Sequence, residues 1–185
     1  MTDKKNFRLL AIDTSGSPGF AVVEVRSRGK RKGEPLLLHV DSETTDAGMS
    51  DALRYSVIEA KTVNVCHAHG PFDIIVREHF TKGGSKRGTQ IVFGSWAAVD
   101  SGLLRFGYAI SDKDEITPST VKATVGGRGG ASKEEVEEGC RKYFNLPEDF
   151  VFRNDNESDA AAIAYTWLLQ RGYIDEWHKA RTKNA

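Results

Sequence analysis

The sequence predicts a mixed α/β fold, with a central sheet flanked by helices. Three observations predict it. Short apolar runs at 7–13, 19–25 and 35–40 are separated by turn-rich links; a helix-length segment at 50–70 leads into a fourth apolar run; and helical periodicity dominates the second half. A chain of 185 residues with 39% hydrophobic and 28% charged residues has the size and composition of one soluble domain with its own core.

FRLLAID (7–13) ends at the turn cluster TSGSPG, which marks a buried strand. GFAVVEV (19–25) and PLLLHV (35–40) follow, with links short enough to favour antiparallel pairing. In 50–70, Leu53, Val57, Ala60, Val63 or Asn64, and Ala68 recur near helical spacing behind Ser50, an N-cap candidate. PFDIIVREHF (71–80) reads as a central strand, and TKGGSKRG (81–88) as a flexible basic loop. A helix over 89–106 carries Ile91, Trp96, Val99, Leu103 and Leu104. Glu115-Ile116 is a short last strand, and Pro118 opens a short helix that GGRGG (126–130) breaks. Ser132, with Glu135 three residues on, forms a capping box. The helix over 155–173 has its apolar stripe at Ala160, Ile163, Ala164, Trp167 and Leu168. The expected organisation is one domain over 1–173 and a polar, frayed tail over 174–185.

Lys and Arg number 26, as do Asp and Glu, so the net charge is zero, whereas duplex binders usually carry a basic excess. Any positive field must therefore be local. RSRGKRKG (26–33) holds five positives and no negatives, and Lys82, Lys86 and Arg87 form a second group. The competing reading of the first group is a solvated hairpin tip. Met1 to Arg8 is polar and lacks the apolar stretch of a signal peptide. No apolar run approaches the ~18 residues of a membrane span. The expectation is a cytoplasmic protein, without membrane contact, whose Cys66 and Cys140 are reduced thiols. Cys66, His67 and His69 lack a partner pair for a zinc site.

Three acids stand where apolar elements end or begin. Asp13 closes the first strand, Glu78 sits at the rim of the fourth, and Asp159 begins the Ala-rich helix. Taken singly they read as a turn residue, a rim carboxylate and a helix-dipole acid. Together they form a set of hard oxygen ligands, expected to converge within bridging reach of two divalent cations that hydrolyse a phosphodiester. A fourth ligand should come from the same helix, where Asp155 and Asn156 share a face with Asp159. Glu157 is rotated roughly 160–200° away.

At this point the segments resemble the RuvC-type Holliday-junction resolvases. PSTVKATVGGRGGASKEEV (118–136) is similar to the family's basic segment without a gap. LLAIDTSGSPGFAVVEV (9–25), IIVREHF (74–80) and ESDAAAIAYTWL (157–168) resemble its three acidic motifs, in the family's order. TQIVFGSWAAVDSGLLRFG (89–107) resembles the helix through which such enzymes dimerise. The resemblance implies an RNase H-like fold, a homodimer, and paired symmetric nicks in branched DNA using two Mg²⁺ ions, with Mn²⁺ as a substitute. It marks Asp13, Glu78 and Asp159 as metal-binding acids and Lys122 and Lys133 as lysines near the scissile phosphate. DNA contacts are expected from Arg28, Arg31, Phe80, Lys82, Lys86, Arg87 and Arg128 besides the two lysines. Three departures stand out. Asn156 occupies a position where the family usually has a carboxylate and some relatives have His. Phe80 lies closer to the second acid than the family's aromatic does. RSRGKRKG lengthens the first hairpin. Size and divergence suit a phage-encoded relative acting in the host cytoplasm.

LLAIDTSGSPG also resembles the first phosphate loop of the actin/sugar-kinase fold, which implies a nucleotide binder; the chain is short for that two-lobed fold and shows no second phosphate loop. GGRGG lacks the Gly-Lys-Ser/Thr ending of a P-loop. A third reading is a junction-binding protein that has lost catalysis, which Asn156 alone favours.

Overall fold

Three apolar strands at the front of the chain pair in sequence order, β1 (Phe7–Asp13) with β2 (Gly19–Val25) and β2 with β3 (Pro35–Ser42), all antiparallel. The computed structural model describes residues 6–46, 48–80 and 85–182. Helix α1 (Asp51–His69) crosses over to β4 (Ile74–Glu78), which lies parallel to β1 on its other side. Helix α2 (Lys86–Leu104) and a 3-10 turn (Asp112–Asp114) lead to β5 (Glu115–Ile116), parallel to β4. The sheet order is β3-β2-β1-β4-β5. Helices α3 (Pro118–Val125), α4 (Lys133–Phe144), α5 (Asp155–Gln170) and α6 (Asp175–Thr182) complete the chain.

Strand alternation divides the core into two layers. Leu9, Ala11, Ala21, Val23 and Val76 face α3, α4 and α5, whereas Leu10, Ile12, Phe20, Val22 and Ile75 face α1 and α2. Helix α5 is buried on nearly every side from Glu157 to Leu168, because the sheet lies on one flank and α3 and α4 on the other. Its run of alanines allows that close approach. The capping box of Ser132 and Glu135 forms as expected.

Two expectations change. The buried stripe of α1 is Arg54, Ile58, Thr62, Val65 and Cys66, one step round from the one read from the sequence, and Leu53 is 52% exposed. The displacement arises because two stripe positions are polar side chains that donate to backbone carbonyls. Arg54 donates to the Asp46 carbonyl (2.8 Å) and Thr62 to that of Ile58 (2.9 Å). The polar tail after residue 173 carries a helix: Ile174 is 1% exposed, and Trp177 of α6 donates to the Tyr143 carbonyl of α4 (2.7 Å). No helix among the described residues is long and apolar enough to cross a membrane.

Candidate active site

β1 and β4 run in the same direction, so their last residues share one end of the sheet. Their final registered pair is Ile12 with Arg77, and one step further stand Asp13 and Glu78. By alternation Asp13 follows Leu9 and Ala11, and Glu78 follows Ile74 and Val76, so both carboxylates project toward the α5 layer. Asp159 stands in the N-terminal half of α5, whose helix packs against β1, β2 and β4.

Asp13 is 7% exposed, and Glu78 and Asp159 are half-buried. Burial, followed by the charges of Glu78 and Asp159, holds the Asp13 carboxyl well above the usual carboxylate range. Burial and then Asp159 push Glu78 up to about 7. Asp159 is also raised, chiefly by burial, with a smaller contribution from Asp155. Two lysines oppose this build-up. Lys133 lowers the pKa values of Asp13 and Asp159, and Lys122 lowers those of Glu78 and Asp159. The three acids thus share one field with a cation on either flank. They do not close to the bridging reach expected of them: among the described residues, no three His, Cys, Asp or Glu side chains are gathered tightly enough to hold one ion. Mutual repulsion in poorly solvated surroundings opposes closer approach.

The N-terminus of α5 decides which neighbour can join them. Asn154 caps it, its side chain accepting from the Glu157 amide, so the helix begins at Asp155 and Glu157 faces away from Asp159. Glu157 is 1% exposed and fully engaged. Its oxygens accept from Arg153 Nε (2.7 Å), the Arg153 backbone amide (2.9 Å) and Ser42 Oγ (3.4 Å). Arg153 also donates to Asp41 on β3 (2.6 Å), and Asp41 pairs with Lys61 of α1. Glu157 therefore clamps the helix start and is no ligand candidate. Asp155 is taken as well: its Oδ2 accepts from Lys133 Nζ at 2.5 Å, tying the first turn of α5 to that of α4. Asn156 is half-buried, and its backbone carbonyl crosses Gly19.

The remaining sequence candidates scatter. Phe80 packs edge-on against Phe93 (5.4 Å between centroids), which meets Trp96 the same way. Lys86 is exposed in the first turn of α2, at the acidic end of the sheet, where the Ile91 side chain of that helix lies against Gly16. Arg87 is bound in a two-pronged pair to Asp51 (2.5 and 2.7 Å), and Arg128 reaches both oxygens of Glu135 (2.8 and 2.9 Å). Lys82 lies outside the described residues. Arg28 and Arg31 stand at the other end of the sheet from Asp13, because β2 starts beside Asp13 and ends beside Phe7. Cys66 is buried in the α1–α2 layer, and burial pushes its thiol up to about 11, which makes it a poor ligand. Sequence reading missed the Arg153–Glu157–Asp41 clamp, the Lys133–Asp155 pair and the role of Gly19. Only Gly19, a glycine opening an apolar strand, carried a readable signal, that of close backbone approach.

A sheet of this order, with carboxylates on adjacent parallel strand ends and on the helix laid across them, is the framework of an RNase H-like nuclease. No family model matches the chain. Curated relatives do. The crossover junction endodeoxyribonuclease RuvC of Synechococcus sp. (strain CC9311) is 30% identical over 165 residues, covering 88% of this chain and 99% of the relative. That of Rickettsia massiliae is 30% identical over 168 residues, covering 89% and 99%. Among solved structures, Thermus thermophilus RuvC in complex with Holliday junction substrate superposes with a TM-score of 0.73 at 25% identity, covering 90% of this chain and 97% of that one. The yeast mitochondrial Holliday junction resolvase Ydc2 shares the fold, with a TM-score of 0.57 at 13% identity, covering 97% of this chain and 85% of that one. The chain belongs to the RuvC family of metal-dependent crossover junction endodeoxyribonucleases.

Proposed function

We propose that this protein resolves four-way DNA junctions by paired nicks, with Asp13, Glu78 and Asp159 as its metal-binding acids and Lys122 and Lys133 beside the scissile phosphate. The observation that carries the reading is the shared field of the three acids, each raised in pKa and each opposed by a lysine. An all-carboxylate donor set whose negative charge two lysines only partly offset suits a hard divalent cation, Mg²⁺ first and Mn²⁺ as substitute, in two ions per site. Bound there, such ions supply charge neutralisation at the phosphate and an activated water. Asn156 could add an amide oxygen from the same helix turn.

The chain's own groups do the rest. Lys133 extends from the first turn of α4 with its side chain 60% exposed, so its ammonium can exchange Asp155 for a phosphate oxygen. Lys122, on α3, faces Glu78 and Asp159 and offsets their charge as DNA approaches. The apolar layers of β1, β4 and α5 hold the acids rigidly and exclude water from behind them.

Paired nicks need two sites, and we assign them to a two-fold dimer built on α2. The face expected from the sequence, Trp96, Val99 and Leu103, is taken up within the chain. Val99 and Leu103 are fully buried against α1, and Trp96 lies under the Arg77 guanidinium (3.9 Å). Phe93 (53% exposed), Ala97 and Leu104 (71% exposed) lie on one side of the helix at i, i+4 and i+11, and they form the face open to a second copy. We regard residues 1–173 with α6 as one nuclease domain acting on cytoplasmic DNA.

The kinase-like reading of the first loop loses its ground to the near full-length likeness to endonucleases. The deciding experiment is cleavage of a labelled four-way junction with Mg²⁺, with Mn²⁺ and with chelator. Symmetric nicks that require the metal are expected. Tight junction binding with no cleavage under either metal would instead leave an inactive binder.

A further inference from the structure

We propose that the basic hairpin at residues 26–33 is a second nucleic-acid contact, gripping the phosphate backbone of a duplex arm at the pole opposite the acids. The inference rests on the junction-cleaving reading and extends it to where an arm lies.

Position comes first. β2 leaves Gly19 beside Asp13 and ends at Val25 beside Phe7. Seven residues of strand at ~3.3 Å each place the hairpin ~20 Å from the acids. These cations therefore cannot serve the scissile phosphate.

The hairpin is built rather than loose. Gly29 and Gly33 take positive φ (80° and 79°), and the Gly33 amide donates to the Arg26 carbonyl (2.9 Å). Glu34, 2% exposed, holds the base from inside, with Arg31 Nη2 at 2.7 Å and Arg26 Nε at 3.4 Å. Arg26 and Arg31 are thus spent on shaping the loop. Lys30 and Lys32 remain exposed at its tip and make no ion pair among the described residues. A Cβ on Gly29 would meet nothing within 4 Å, so the tip stands in open solvent.

The surface beside it carries both signs. Gly33 approaches the Tyr173 carbonyl, and next to it opens a cleft of about 380 Å³ rimmed by Arg171 and Lys113, with Phe7 stacked on Tyr173 (4.3 Å). The two acids of that cleft are occupied. Asp73 accepts the Arg8 amide (2.7 Å), and Asp114 accepts from Trp167 Nε1 (3.2 Å) with Arg171 at 3.5 Å.

A chain of zero net charge that concentrates cations on a shaped hairpin is suited to a dense line of anions. Duplex DNA is such a line, and at 3.4 Å per base pair ~20 Å is about six base pairs. An arm leaving the acids along the sheet reaches the hairpin within that length.

The test uses the full chain with Lys30→Gln and Lys32→Gln combined, leaving Arg26, Arg31 and Glu34 in place. A melting temperature matching the wild type shows that the fold is retained. Four-way junctions with arms of roughly 5 and 20 base pairs are titrated across salt with catalysis blocked by Ca²⁺. The variant should bind the long-arm junction about 5–10-fold more weakly and lower the salt slope by one to two, since each lost phosphate contact removes roughly 0.9. Short-arm binding should not change. Equal affinity of variant and wild type for long arms, or equal loss on short and long arms, overturns the proposal. Failure of the wild type to cleave in Mg²⁺ would sink the nuclease reading separately, while the arm-length comparison would still decide this one.

Discussion

Gly19 passes under the backbone carbonyl of Asn156 so closely that a Cβ on the glycine would stand 1.9 Å from that oxygen. Gly19 is also the registered partner of Asp13. One missing side chain therefore sets the height of the α5 N-terminus over the strand that carries the first acid. Gly19→Ala should push α5 off the sheet, lowering stability by about 1–3 kcal/mol and cleavage more than binding. Wild-type melting and wild-type cleavage by this variant would show that the contact does not position the site.

Asp13→Asn and Asp159→Asn should abolish cleavage and spare junction binding, because they remove charge facing the metal but leave the basic surfaces intact. Asp155→Asn should behave differently. Its carboxylate is committed to Lys133 at 2.5 Å, so cleavage should fall less than about tenfold. Lys133→Ala should slow single-turnover cleavage at saturating DNA. If Asp155→Asn is as inactive as Asp159→Asn, Asp155 belongs among the ligands.

Acidity supplies a test that needs no substrate. Glu78 holds its proton up to about 7 in the folded chain, against an ordinary value of 4.5. The folded state therefore binds more protons than the unfolded one between those values, and stability falls as pH rises through the window, by at most about 1.4 kcal/mol per pH unit for this group. Asp13 and Asp159 are shifted in the same direction. Melting in chelator should decline from pH 5 to pH 8, Glu78→Gln should flatten that decline, and Mg²⁺ should restore stability most at the upper end. A flat profile for the wild type would refute the shared field.

The clamp at the start of α5 is asymmetric. Glu157 is 1% exposed whereas the Arg153 side chain is 65% exposed. Removing the arginine strands a buried carboxylate, but removing the acid frees an arginine that water can solvate. Arg153→Ala should thus cost about 2–4 kcal/mol and Glu157→Gln distinctly less. Chemical denaturation of both variants settles the order, and a larger loss for Glu157→Gln would reverse the interpretation.

The strands were readable because burial on both sheet faces writes unbroken apolar runs, as in Leu9 to Ile12 and Ile74 to Val76. The acids were readable because each interrupts such a segment. What stayed hidden depends on partners distant in sequence. Glu157 looks like a solvated helix acid until Ser42 and Asp41 of β3 are brought beside Arg153. Arg54 and Thr62 look exposed until their hydrogen bonds are seen, which is why the α1 stripe was read one step away. Helix α6 is too polar to reveal itself: Ile174 just before it, with Trp177 and His178 on it, holds it to the core.

The parallel pairing of β1 with β4 makes the site a matter of parity. Glu78 and Arg77 are neighbours on β4, one toward α5 and the other toward Trp96 and Asp100 on α2. A single-residue deletion within Ile74–Val76 would interchange the two faces, sending a guanidinium among the carboxylates and an acid under the tryptophan. Changes of two residues preserve the pattern. Descendants of this sequence can therefore lengthen or shorten the strand only in even steps and keep the same chemistry at its end.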